Sequence, residues 1–415
     1  MKTNLKNIKY HIDSHHHGLF VKEARLRQGY RLAEVAKEIC DISYLSKIES
    51  GTLVPSLDIF WKIAERLEIQ FPSKERMCPK DFFRKALYQE NMKMIESYLA
   101  IDTCHHYEIQ LIEFFRAVVK GNLIEACNLK KNIDQFRHHF HPKEEQTYLL
   151  FSGIYFFKNF EWKQGEACFK KSLSLIHQLG EEDPYLYFEL ANYYFQLQKT
   201  FLGFSYLERA TMAFKKIFEK AWVFKCEILW CRELMKHGDV KSVEMKLEAL
   251  KQIMEPCQSH LQWNSFFNVL GMIYEKRGQY IQAEECYTRS MKPHAGKINE
   301  MFIIDTIKFH YGRQNRDQLI KLIEGLDLTC LSTRGRLLAD FYYFKMTDDR
   351  SEHFENFLRK DAMPFARKNM DYDSVNLYTK ELTNYYRYKS SHKKVADAYY
   401  KWEQFCNELN SIEKI

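Results

Sequence analysis

The 415-residue sequence has little of what strand-rich or membrane-spanning folds require. It contains only 15 Gly and 8 Pro, the residues that supply most turns between strands, and no apolar run approaches the roughly 20 residues that cross a bilayer. Hydrophobic residues nevertheless make up 46% of the chain and charged residues 28%, a balance typical of globular proteins. The composition therefore predicts an all-α globular protein that has no membrane partner.

Motifs of enzymes and of metal sites are also missing. The 11 Cys form no C-x-x-C pair, no Gly-rich phosphate loop is present, and no Ser or Cys lies in a recognisable nucleophile motif. Two His clusters, around residues 11–17 and 138–141, lack the carboxylate or Cys partners of a metal site, and residues 1–17 lack the apolar core of a secretory signal. We therefore expect a cytoplasmic protein that is not an enzyme and has neither a cofactor nor a metal ion.

Positive charge is concentrated at the N-terminal end. Residues 1–80 carry 14 Lys and Arg against 10 Asp and Glu, so this stretch holds four of the seven units of net positive charge. Such an asymmetry permits contact with nucleic acid. The pattern changes near residues 71–79, a Pro-containing stretch that separates short helices with tight turns from longer helices that recur.

The longer region repeats a pattern of small and aromatic residues. Three copies share the same spacing: Gly153, Phe156, Gly165, Phe169, Ser172; Ala191, Tyr194, Gly203, Leu207, Ala210; and Gly271, Tyr274, Ala283, Tyr287, Ser290. Small residues let two antiparallel helices approach closely, and the aromatic residues fill the groove between one pair and the next. The pattern resembles the tetratricopeptide (TPR) repeat, which implies about eight helix pairs that curl into a right-handed superhelix with a concave inner face.

The N-terminal region predicts four short helices. The first places Leu26 on its apolar face and Arg25 on the opposite, charged face. The second is predicted to span Leu32–Ile39. Asp41 is expected to cap the third helix, Ile42–Glu49, and Ser56 to cap the fourth. The second and third helices, joined by a tight turn, predict a helix-turn-helix.

The third helix supplies the candidate DNA-reading surface. Because Leu45 and Ile48 face the core, Ile42, Ser43, Ser46 and Lys47 are expected to project outward into the major groove, with Tyr44 between the two sets. The candidate DNA-binding residues on this helix are Ile42, Ser43, Tyr44, Ser46 and Lys47. Lys47 suits guanine or phosphate, Ser43 pairs with a donor or an acceptor, and Ile42 suits a thymine methyl group.

The string Tyr44-Leu-Ser-Lys-Ile-Glu-Ser-Gly51, with Pro55-Ser-Leu and Ile63-Ala-Glu-Arg-Leu67 after it, closely resembles the Cro/C1-type repressor domain over residues 18–71. Where that family usually has Thr-Gln, this chain has Arg31-Leu32. The resemblance implies that Arg31 reaches a phosphate, that one common glutamine contact is missing, and that Glu49 holds the fold together rather than touching bases.

A Cro/C1-type domain followed by a TPR array resembles the RNPP family of peptide-sensing regulators of Gram-positive bacteria, most closely its PlcR and NprR branches. The resemblance implies a homodimer or tetramer that binds a double-stranded DNA operator and takes up a short signalling peptide in its concave face, as in quorum sensing. The domains would be an N-terminal leader at 1–17, the DNA-binding domain at 18–71, a linker helix region at 72–100 and the repeat domain at 101–415.

Repeat register identifies candidate peptide-binding side chains on the first helix of each pair. An extended peptide presents unpaired amides and carbonyls, which Asn can satisfy because it both donates and accepts, and basic side chains pair with a peptide carboxylate. The candidates facing the concavity are Asn192, Gln196, Lys225, Arg232, Asn268, Glu275, Asn376 and Arg387.

Two other functions fit the same modules. The repeats can hold a partner protein or inhibit a response regulator, with DNA binding as a secondary role, or the chain can be a phage-type repressor that senses a peptide. A short downstream reading frame that encodes a small secreted pro-peptide would favour the peptide-gated transcription factor over the adaptor.

Overall fold

The computed structural model describes residues 14–53, 55–68, 79–89, 94–95, 106–137, 140, 142–254, 260–293, 299–326, 331–347 and 350–411. Most of the predicted leader (1–17) and linker (72–100) lies outside these residues, as do the His residues at 11, 138, 139 and 141. Every described element is helical and no strand occurs among them, which confirms the all-α prediction. No helix of the described part is long and apolar enough to span a bilayer. The chain divides into two compact units, Met1–Glu182 and Asp183–Ile415.

The first unit begins with a four-helix domain and continues with longer helices that pack in pairs. Its helices are α1 (Ser14–Arg27), α2 (Leu32–Ala36), α3 (Ile42–Glu49), α4 (Leu57–Arg66), α5 (Pro79–Tyr88), α6 (His106–Lys120), α7 (Leu123–Asp134), α8 (Pro142–Lys158) and α9 (Trp162–Leu179). The pairs are α6 with α7 and α8 with α9.

The four-helix domain encloses one apolar core. Val21, Val35, Leu45, Ile48 and Ile63 are fully buried in it, so each of the four helices contributes one apolar face. This domain is the predicted helix-turn-helix, and α3 spans the predicted residues.

Helix α1 crosses α3 at a glycine. A Cβ at Gly18 would lie 1.7 Å from the carbonyl oxygen of Ile48, a distance that no side chain tolerates. Only glycine therefore allows the two backbones to approach this closely.

Three local predictions for this domain are wrong. Leu26 is 58% exposed and Arg25 is buried, because Arg25 pairs with Glu49 in the core-facing layer rather than with solvent. Helix α2 ends at Ala36, three residues before the predicted end, and Glu38 adopts a positive φ of 64° in the turn that follows. Asp41 occupies the N-cap position of α3, but its side chain makes no capping hydrogen bond. The predicted cap of α4 is confirmed, since the Ser56 hydroxyl accepts from the Ile59 amide.

The second unit is built from helices in sequential pairs. These are α10 (Pro184–Gln196), α11 (Thr200–Lys216), α12 (Lys220–Lys236), α13 (Val240–Met254), α14 (His260–Lys276), α15 (Tyr280–Ser290), α16 (Glu300–Gly312), α17 (Arg316–Glu324), α18 (Thr333–Thr347), α19 (Glu352–Phe357), a π-helical turn (Leu358–Ala362), α20 (Met363–Lys368), α21 (Tyr372–Tyr388) and α22 (His392–Ser411). The closest pairs are α10 with α11 and α14 with α15.

The small residues of the repeat pattern act as predicted. A Cβ at Gly153 would lie 2.7 Å from the Phe169 ring across the α8 and α9 pair, and one at Gly271 would lie 3.2 Å from the Tyr287 ring across the α14 and α15 pair. In each pair the glycine faces the aromatic residue sixteen positions later. The helical repeat fold that the spacing predicts is therefore confirmed.

Candidate nucleic-acid and peptide interfaces

One face of α3 is open to solvent along its length. Ile42, Ser43, Ser46 and Lys47 are all exposed, and Ile42 is 52% exposed although its side chain is apolar. Tyr44 is half-buried and packs against the core of the domain. The arrangement presents a cation, two hydroxyls and an aliphatic group on one surface, which is the chemistry that reads base edges and phosphates.

The orientation of α3 is set by a buried ion pair. Arg25 Nε donates to Glu49 Oε1 at 2.7 Å, and Arg25 Nη2 donates to Glu49 Oε2 at 2.8 Å. A third bond runs from Arg25 Nη1 to the Tyr30 carbonyl at 3.0 Å. The bond to Glu49 raises the pKa of Arg25. This two-pronged contact fixes the last turn of α3 against α1, so the role expected for Glu49 is confirmed.

Two further features define the edges of this surface. Arg31 is exposed at the N-terminus of α2, so its side chain is open to solvent, as a phosphate contact would require. At the other end, the Lys47 carbonyl accepts from the Thr52 hydroxyl at 3.1 Å, which ties the end of α3 to the following loop. The Lys47 side chain remains exposed.

In the second unit, two predicted peptide-binding residues, Arg232 and Asn268, form one cluster with Asp305, which was not predicted. Arg232 on α12 donates through Nη1 to Asn268 Oδ1 on α14, and through Nη2 to Asp305 Oδ2 on α16 at 2.8 Å. The cluster therefore joins the first helices of three successive pairs. Sequence reasoning placed Arg232 and Asn268 here but missed Asp305, which lies outside the three clear repeat copies.

Asn268 is enclosed by the protein, whereas a residue on the wall of an open groove would be exposed. Its side chain is fully buried. Its Oδ1 accepts from Arg232, whereas its Nδ2 has no hydrogen-bond partner among the residues that the structure describes. An amide that was expected both to donate and to accept thus retains only a donor. Arg232, expected to be open to a peptide carboxylate, instead faces Asp305.

Glu275 lies next to this cluster. It accepts from the Tyr287 hydroxyl at 2.7 Å, and burial together with the Glu275 charge raises the pKa of Tyr287 well above its ordinary value. The carboxylates of Glu275 and Asp305 exceed the single guanidinium of Arg232, so a cation or an N–H donor is a better match to this cluster than an anion.

Asn192 and Gln196 are brought together at another place. Both line a small cleft of about 120 Å³. Its other lining residues include Glu233 and Lys236, which form an ion pair at 2.9 Å, and Tyr372 at the start of α21. The cleft is mostly polar, although Phe195 and Leu229 also line it.

The three remaining candidates lie apart from these groups. Lys225 Nζ sits 4.1 Å from the ring centroid of Trp222, a cation–π contact within one helix. Asn376 is exposed in a cleft of about 450 Å³ that Lys308 and Lys380 also line. Arg387 is exposed and donates to the Tyr399 hydroxyl at 3.3 Å.

Arg334 and Asp371 form a bidentate pair at the edge of the cleft that holds Asn376. Arg334 Nε donates to Asp371 Oδ2 at 2.6 Å and Nη2 donates to Oδ1 at 3.2 Å. Burial raises the pKa of Asp371, but the bonds from Arg334 and Ser374 outweigh it, so the pKa is lowered overall. Among the described residues, no group of three or more His, Cys, Asp or Glu side chains is placed to hold a metal ion.

Comparisons with known proteins agree with both halves of this description. The helix-turn-helix family HTH_3 matches residues 21–72. The transcriptional activator NprA of Geobacillus stearothermophilus is 20% identical over 409 residues, which cover 91% of this chain and all of that protein.

Two solved structures share the fold. The apo form of the quorum sensor NprR from B. thuringiensis has a TM-score of 0.55 at 16% identity and covers 79% of this chain and 97% of its own. NprR in complex with its cognate peptide NprX has a TM-score of 0.60 at 16% identity and covers 77% and 97%. At these identities the likeness establishes the fold of the chain.

Proposed function

We infer that this chain is a member of the RNPP family of regulators, and on that premise we propose that it is a transcription factor that binds operator DNA through α3 and a short signalling peptide through its repeats. The observation that carries the proposal is the exposed face of α3, held in place by the Arg25 and Glu49 pair. We propose residues 18–71 as the DNA-binding domain and residues 101–415 as the peptide-responsive domain.

The DNA part of the proposal is tested with Lys47→Ala. The matched control is Lys62→Ala, because Lys62 is also exposed in the same domain but pairs with Asp58 on α4 at 3.1 Å. Using DNA selected by the protein from a random pool, fluorescence anisotropy should show at least roughly tenfold weaker binding for Lys47→Ala and almost none of that loss for the control. Equal losses in the two variants would remove Lys47 from the reading surface.

The peptide part rests on Asn268. We propose that its Nδ2, which is buried and has no hydrogen-bond partner among the described residues, donates to a backbone carbonyl of the peptide. Since Asn268 is fully buried, the bound state differs from this one by a shift of Arg232 or of the helices that cover the amide. Peptide binding is thereby coupled to a conformational change.

Calorimetry with synthetic peptides from the small reading frames that flank the gene tests this step. Asn268→Ala should lower peptide affinity by at least roughly tenfold and leave basal DNA affinity unchanged. The matched control is Asn264→Ala on the same helix, because the Asn264 amide is already used by the Lys292 carbonyl at 2.7 Å. If both variants bind the peptide equally well, the assignment of Asn268 is wrong.

NprR is described as a quorum sensor with a cognate peptide and NprA as an activator, which supports the same role here over that of an adaptor. We propose further that the chain acts in the cytoplasm as a homodimer, with a tetramer as a second state, and that it performs no catalytic step. Light scattering with and without peptide tests the oligomeric part, since a monomer in both states would contradict it.

A further inference from the structure

A cleft of about 340 Å³ near the C-terminal end of the second unit has an apolar floor. The floor is one face of α21, where four lining residues recur at helical spacing: Val375, Thr379, Leu382 and Tyr386. Val375 and Leu382 are buried. The cleft lies apart from Asn192, Arg232 and Asn268, none of which lines it.

One wall is the π-helical turn with α20. The Met363 amide donates to the Leu358 carbonyl, five residues back, so the turn is wider than an α-helical turn. Arg359, Met363 and Arg367, which are spaced four apart, all line the cleft. Such π turns inside helices occur frequently at functional sites.

The cleft is strongly basic. Four cations line it, namely Arg359, Arg367, Lys394 and Lys401, against one acid, Asp397. Lys401 pairs with Asp397 at 2.8 Å, and Lys394 lies 3.6 Å from a carboxylate oxygen of Glu355. The guanidinium groups of Arg359 and Arg367 have no ion pair and no side-chain hydrogen bond with any residue that the structure describes. Two arginines beside an apolar surface favour a ligand that is both anionic and apolar.

Trp402 on the opposite wall adds an independent observation. Its indole Nε1 is buried and has no hydrogen-bond partner among the described residues. Buried N–H donors in proteins are nearly always satisfied, and Trp402 lines this cleft. An acceptor atom brought by a ligand would satisfy it.

The volume of the cleft, about 340 Å³, lies within the range of small-molecule sites, about 300–1,000 Å³. We propose that this cleft binds a small amphipathic anion whose carboxylate or phosphate head pairs with Arg359 and Arg367 while its alkyl or aryl body lies on the floor of α21.

Calorimetry of the full chain with decanoate and decyl phosphate tests the proposal, with decanol as the neutral probe. We expect one saturable site per chain for at least one of the two anions, and the tighter of them identifies the head group. The double variant Arg359→Gln/Arg367→Gln should bind that anion at least roughly tenfold more weakly. The matched control, Lys360→Gln/Lys368→Gln, removes two exposed charges from the same segment outside the cleft and should bind it as the wild type does.

Ala398→Phe provides a second arm, because Ala398 lines the cleft and a phenyl ring there fills it. Binding should be lost in this variant while circular dichroism retains the wild-type helical content. The proposal is overturned by the absence of saturable binding of both anions, by equal affinity for decanol, or by unchanged affinity in the arginine double variant.

Discussion

Replacing Glu49 by Ala is expected to loosen α3 specifically. Arg25 and Glu49 are 8% and 5% exposed, so the change leaves a buried guanidinium with one remaining bond, to the Tyr30 carbonyl at 3.0 Å. Removing one partner of a buried pair costs about 3–5 kcal/mol because the other charge stays desolvated. At 1.4 kcal/mol per factor of ten, the opening of α1 and α3 should become roughly 150-fold to several thousand-fold more frequent.

Hydrogen exchange by mass spectrometry on the full chain measures this opening directly. Protection should fall by that factor for the amides of α1 and α3 and stay constant in α14 of the second unit. Glu34→Ala is the control, since the Glu34 side chain is exposed and its carboxylate accepts from the Arg31 amide rather than from a buried charge. The double change Arg25→Met/Glu49→Leu should restore most of the protection, because no buried charge is left unpaired. A loss of less than tenfold in Glu49→Ala would show that the pair does not hold α3.

Three further predictions follow from packing and burial. Gly18→Ala places a Cβ 1.7 Å from the Ile48 carbonyl, so DNA binding in an anisotropy titration should be lost; retained binding would contradict the crossing of α1 and α3. In urea unfolding, Gly271→Leu should destabilise the second unit by roughly 1–3 kcal/mol through overpacking, whereas Gly312→Ala, with no atom within 4 Å, should not. Burial lowers the pKa of His310, so the unfolded chain binds more protons as the pH falls below about 6.5; the free energy of unfolding should therefore decline toward about pH 5, and less so in His310→Phe.

Sequence reasoning succeeded where a short-range pattern determines the structure. The boundaries of α3 follow from buried Leu45 and Ile48 with a glycine after the helix, and the contact between Gly153 and Phe169 follows from a fixed spacing of sixteen residues. Each of these depends on one helix or on one pair of neighbouring helices. Helical period and residue size are enough to predict such contacts.

It failed where a residue's partner is distant along the chain. Arg25 was assigned to the solvent face because charged residues are rarely buried, and only the fold brings it to Glu49, 24 residues away. The pairing of Arg232 with Asp305 spans 73 residues. No local period predicts either contact, although the register did place Arg232 and Asn268 on neighbouring helices that meet.

These two ion pairs give the candidate interfaces different properties. In the DNA-binding domain the pair lies behind α3 and leaves Ser43, Ser46 and Lys47 exposed, so the reading face is formed before DNA arrives. In the repeats the pair includes Arg232 itself, which also donates to the buried Asn268 side chain. A ligand that reaches this amide must bind a conformation other than the present one, and a ligand shifts an equilibrium only by its differential affinity for the two states. If Asn268 binds the peptide as proposed, the energy of the Arg232 and Asp305 contact opposes that binding, and a peptide that replaces this contact with its own donors acts as a switch.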